Sequence, residues 1–146
     1  MTVWTGVTGG AVTFTFVGSA GAADITFGFM SDTGFCGVST PVWDPDSGQM
    51  ISADVKVSQP IYRGPQCVRT VTHETAHAIG FLGHTSDGGL MDVDGGNGEI
   101  TPLVAGVLRD LYLLPPGTLV TAEAKQLGLG RSGGRKTMTF MYPVRQ

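Results

Sequence analysis

Charge is sparse in this sequence. Only 14% of its 146 residues are Asp, Glu, Lys or Arg, the net charge is -3, and no run of Lys or Arg occurs. That argues against nucleic acid or an anionic membrane as the main partner, since both are recognised through clustered positive charge. No apolar run approaches the roughly 20 residues of a membrane span. Met1 is followed by neither a basic stretch nor an apolar one, so the chain as given carries no signal peptide. Cysteine is nearly absent. Cys36 and Cys67 allow one disulfide in an oxidising compartment or, on equal terms, two reduced and separately buried thiols. Histidine occurs three times, all within HETAHAIGFLGH, His73 to His84.

Glycine is plentiful, at 23 residues, and the hydrophobic fraction is 41%. Together with the length these describe one loop-rich globular domain able to bury its own core. No internal repeat is present. The first half alternates with the period of strands. In AVTFTFV, Val12, Phe14 and Phe16 share a face; in ADITFGF, Ile25, Phe27 and Phe29 do; in ISADVKV, Ile51, Ala53, Val55 and Val57 oppose Ser52, Asp54 and Lys56. DPDSG, Asp44 to Gly48, is among the turns between them. The period then changes. Val68, Val71, Ala78 and Ile79 are spaced for a helix between Pro65 and Gly80. A second helix is expected from Thr101 as cap and Pro102 in the first turn, presenting Val104, Val107, Leu108 and Leu111 to the core and ending at Pro115-Pro116. The core spans about residues 11–117. Residues 118–136 form a glycine-rich, basic connector, and the KTMTFMY stretch after it alternates as an extra strand would, the strand expected at 137–142.

Helical geometry gives the histidines a meaning. Four residues apart, His73 and His77 lie about 40° apart around a helix axis and about 6 Å apart along it, so both imidazoles can reach one metal ion. Glu74 projects toward the same opening, where a carboxylate can take a proton from water without ligating the metal. On a continued helix His84 would sit about 10 Å too far along the axis. The helix must therefore end and the chain double back, a reversal expected of Gly80 and Gly83 through their access to positive φ. Three neutral imidazoles leave a tetrahedral zinc one open position, the catalytic arrangement.

HETAHAIGFLGHTSDGGLM resembles the zinc-binding signature of the metzincin metallopeptidases, most closely bacterial matrixin-like members, whose pattern is HExxHxxGxxH followed by a methionine turn. His73, Glu74, His77 and Gly80 match directly. The sequence departs by one residue before the third histidine, reading HExxHxxGxxGH, with Gly83 giving that residue room. Met91, in GGLMD, stands where the family's turn beneath the zinc would fall. More loosely, ADITFGF is similar to a family core strand, ISADVKV to the strand before the active-site helix, and LRDLYLLPPGT to the C-terminal helix and its exit. The resemblance implies an α+β, zincin-type catalytic domain: a twisted mixed β-sheet packed on an active-site helix and a C-terminal helix. The family's usual first strand and long first helix do not fit into MTVWTGVTGG. The tail strand KTMTFMY is expected to fill the sheet position left vacant.

Function follows from the same resemblance. It implies a secreted zinc endopeptidase in which Zn2+ sits on His73, His77 and His84, and Glu74 is the general base that activates water for peptide hydrolysis. Its substrate would be a protein or peptide, added as an extended strand beside a sheet edge around Gly37 to Val42. Two other readings keep the zinc: a gluzincin-type peptidase whose third ligand is Glu99 or Glu123, and an inactive, zinc-stabilised binding module. The loop MDVDGGNGE offers Asp92, Asp94, Asn97 and Glu99, but its register breaks the calcium-loop spacing and favours a solvated turn. Structural Ca2+ therefore enters only as an implication of the resemblance.

Overall fold

The computed structural model describes residues 1–31, 34–44, 46–59, 67, 69–115, 136–137 and 140–143, the last two stretches by their backbone. In chain order the elements are helix α1 (Thr2–Val7), a 3-10 turn (Ala20–Ala22), strands β1 (Ile25–Met30), β2 (Phe35–Trp43) and β3 (Met50–Ser58), helices α2 (Thr70–Ala78) and α3 (Pro102–Leu113), and tail strands β4 (Lys136–Thr137) and β5 (Phe140–Pro143). The architecture is mixed α+β, and no helix among the described residues is long and apolar enough to cross a membrane.

The sheet is organised around β3. Its alternation buries Ala53, Val55 and Val57 and leaves Lys56 outside, as expected of a strand with one covered face. β1 pairs with it in parallel and β2 antiparallel, giving the order β1-β3-β2. α2 packs over β2 and β3, with Ala78 set against Ala53, Val55 and Val57. A second apolar cluster joins Trp4 of α1, Ala76 and Ile79 at α2, Leu90 and Met91 of the following loop, and Val104 and Leu108 of α3. The two clusters grip α2 from opposite sides.

α1 was not legible in the sequence. Trp4 is wholly buried, and its indole Nε1 donates to the Thr72 carbonyl on α2 at 3.1 Å. α3 begins as read, with the Thr101 side chain accepting from the Val104 amide and Pro102 opening the helix. Its inner face is narrower than expected. Val104 and Leu108 are fully buried and Leu111 partly so, but Val107 is 44% exposed. Val71 on α2 likewise faces out. Val68 and the connector lie outside the described residues.

Two strand expectations change. AVTFTFV forms no strand: Val12 and Phe14 reach the core while Phe16 is 89% exposed, and no ladder partner is present among the described residues. Alternation is a property of the local sequence, whereas a strand also needs a backbone partner. β1 forms where read, but of the three residues on its expected inner face Phe27 and Phe29 are 43% and 66% exposed and only Ile25 packs against the core. The tail does join the sheet, though not on the β1 side. β4 and β5 pair antiparallel with β2, so the segment expected as a free edge around Gly37 to Val42 lies inside the sheet, between β3 and the tail.

Candidate metal centre

α2 carries His73, Glu74 and His77 into the interior, where all three are buried. The helix then stops through a Schellman closure. Gly80 has φ of +105°, its amide bonds to the His77 carbonyl at 3.0 Å, and the Phe81 amide bonds to the Ala76 carbonyl at 2.9 Å. The Tyr112 hydroxyl on α3 caps the Ile79 carbonyl at 2.8 Å. This reversal is what returns His84 to the helix. Gly83 contributes less than expected: it does not adopt positive φ, and a methyl group there would meet nothing within 4 Å. One glycine makes the turn.

The three imidazoles converge. Nε2 of His73 lies 3.2 Å from Nε2 of His77 and 3.3 Å from Nε2 of His84, and the trio offers ligand atoms all within 4.8 Å of one another. Tautomers decide what these contacts are. Nδ1 of His73 donates to the Leu90 carbonyl and Nδ1 of His77 to the Phe81 carbonyl, each at 2.7 Å. With the ring protons committed there, both Nε2 atoms present lone pairs, and lone pairs facing each other at this distance repel unless a cation lies between them. Bonds of about 2.0–2.1 Å in a tetrahedron place neighbouring ligand nitrogens about 3.3 Å apart. The observed separations fit that spacing, and carbonyl-oriented histidine is the usual outer-shell arrangement of metal sites.

Burial tunes the same groups. Loss of solvation lowers the pKa of His73 to about 4, against a raising hydrogen bond to Leu90, and that of His77 to about 3, against one to Phe81. Both rings are therefore neutral at neutral pH and need lose no proton to bind a metal. His84 is the exposed member; desolvation lowers its pKa and nearby Asp92 raises it. Solvent thus reaches the trio from the His84 side.

Glu74 stands apart from the ligand set. Neither carboxylate oxygen has a hydrogen-bond partner among the described residues, and burial raises its pKa to about 8. It lies against β2 at Gly37, where a methyl group would sit 2.7 Å from Glu74 Oε1 and 2.4 Å from Thr70 Cγ2. Only glycine lets the strand come so close. A disulfide between Cys36 and Cys67, their Cα atoms 5.2 Å apart, fastens this part of β2 to the residues preceding α2, which decides between the two cysteine states left open by the sequence.

The loop after His84 closes on itself. Asp92 accepts from the Gly88 and Asp94 amides, each at 2.8 Å, and Asn97 pairs with Glu99 through both its side-chain atoms. Asp87 bonds Thr85, the Gly89 amide and the cap residue Thr101, tying the loop to α3. These carboxylates thus serve turns, and among the described residues the three histidines are the group that converges as metal ligands. Glu99 is not brought to the histidines, and Glu123 lies outside the described residues. Met91 is wholly buried, in the turn whose Leu90 carbonyl holds His73. Gly37, Trp4 and Asp87 were missed as supporting residues; only Gly37, a glycine within a strand, carried a local signal of close backbone approach.

Compared with protein-family models, curated proteins and solved structures, the chain matches none.

Proposed function

We propose that this chain is a zinc-dependent endopeptidase of metzincin-like, matrixin-like type. One observation carries the reading: the Nε2 atoms of His73, His77 and His84 converge, those of His73 and His77 with lone pairs facing inward, beside a buried Glu74 carboxylate that has no hydrogen-bond partner among the described residues. His73, His77 and His84 would hold the ion. Zinc bound there supplies Lewis acidity, acidifying water toward neutral pH and polarising a carbonyl. Glu74 provides the proton path. Its oxygens have no competing donor among the described residues, so they are available to accept a proton from water and return it to the leaving nitrogen. A nearby cation lowers the pKa of such a carboxyl and favours its basic form. The β2 backbone touches Glu74 through Gly37, and its two sides are paired with β3 and with the tail strands, so a substrate strand could extend beside it only in place of the tail.

Zinc titration against a chromophoric chelator, paired with hydrolysis of a peptide library, tests this reading. One zinc per chain is expected, with cleavage that a chelator abolishes. Glu74→Gln should keep the zinc and lose about 10²- to 10⁴-fold in kcat, the usual range for a general base. Zinc binding by the wild type without cleavage of any peptide would instead leave a metal-stabilised binding module.

A further inference from the structure

The outer side of β2 is already in use. Phe35, Gly37, Val38 and Ser39 face Pro143, Tyr142, Met141 and Phe140 of β5, and Val42 and Trp43 face Thr137 and Lys136 of β4. Gly37, the residue in register with Tyr142, is also where β2 meets Glu74 and Thr70. The tail backbone therefore runs about 4.8 Å, one strand spacing, from the residue that touches the carboxylate. β5 also lies against α2, the helix that carries two of the three histidines.

A peptide cut at this centre must lie extended beside Glu74 with its amides and carbonyls paired. The inner side of β2 is taken by β3, so its outer side is the ladder left to provide that pairing, and two strands cannot share it. We propose that the tail strands β4 and β5 are a built-in occupant of the substrate-strand position, so that the chain competes with its own substrate. The proposal rests on the peptidase reading. Its physical basis is covalent tethering: a strand joined through the chain to its docking site is held there at an effective concentration on the order of 1 mM, enough for a weakly pairing segment to compete. Residues Pro116 to Arg135, with five glycines, join α3 to that segment.

Proline within a paired strand removes an amide and breaks the ladder, so Met141→Pro in the full chain should free the β2 edge. The probe is a fluorescein-labelled peptide of sequence KTMTFMYPVRQ, followed by anisotropy with metal-free protein so that nothing is cut. Met141→Pro should bind it at least about fivefold more tightly than the wild type, and with zinc the KM for library peptides should fall by a similar factor at unchanged kcat. Replacing Phe140, Met141 and Tyr142 together by Gly-Ser-Gly should act in the same direction, which guards against a misfolded single variant. Equal probe affinity and equal KM in the wild type and both variants would overturn the proposal. Tighter probe binding with no hydrolysis by any form would leave the tail on the β2 edge and remove the peptidase reading instead.

Discussion

At Glu74 a carboxyl is buried among groups that offer it no hydrogen bond, so its charge opposes folding whenever the metal is absent. The sign follows from the pKa, which rises from 4.5 to about 8 in the folded chain. Stability from this group is complete below the unfolded value and is lost as pH climbs through the folded one. Metal-free Glu74→Gln should therefore gain on the wild type as pH rises from 4.5 to 8, each tenfold change in proton affinity being worth about 1.4 kcal/mol. Urea denaturation in a chelator at several pH values measures it; a pH-independent difference would contradict the buried-charge account. The two glycines near the histidines make a sharper pair. Gly80→Ala places a side chain at φ of +105° and 2.9 Å from Leu111 Cδ2, and should cost about 1–2 kcal/mol. Gly83→Ala, with open space around it, should change stability by less than about 0.5 kcal/mol. Sequence spacing was enough to place His73 and His77 side by side next to Glu74, because a helix fixes the relative positions of residues three and four apart, and to mark Gly80 as the bend that returns His84 to them. It could not separate Gly80 from Gly83, since glycine is equally permitted where positive φ is used and where it is not.

Among the elements, the contact between β2 and α2 matters most to the site, and two devices hold it. Gly37 removes the side chain that would separate them, and the Cys36–Cys67 disulfide closes a loop of sequence separation 31. A loop of that length gives roughly 3–4 kcal/mol by restricting the unfolded chain, so reduction should lower the melting temperature measurably, and zinc should restore part of it by binding only the folded form. Calorimetry with and without reductant, each with and without zinc, checks both statements. α3 was legible to within a residue because Thr101, Pro102 and Pro115 punctuate it locally. AVTFTFV was misread because its alternation is real but its chain neighbourhood offers no ladder. β2 was read only in part, as a free edge from Gly37 to Val42, because a partner that arrives more than a hundred residues later leaves no mark on the strand's own sequence.

For the whole molecule, the histidine centre exists only in the folded chain, where α2 and the loop returning after it bring His73, His77 and His84 together. Metal binding should therefore act as a global stabiliser. At a free zinc concentration of 1,000 times Kd the expected gain is about 4 kcal/mol. A thermal melt should show the gain as a rise that a chelator reverses and that His84→Ala lacks. The presence of a tail strand was legible in KTMTFMY; the side of the sheet it joins was not, since register and edge choice depend on which backbone is vacant in the folded state. The anchoring of Trp4 to the Thr72 carbonyl has a practical corollary. The indole is sealed from water by the core yet hydrogen-bonded to the helix that bears the ligands, so its emission should follow events on that helix. With Trp43 replaced by phenylalanine, a single tryptophan remains, and its spectrum should shift to the red when loss of the cation loosens the helix and admits solvent to the ring.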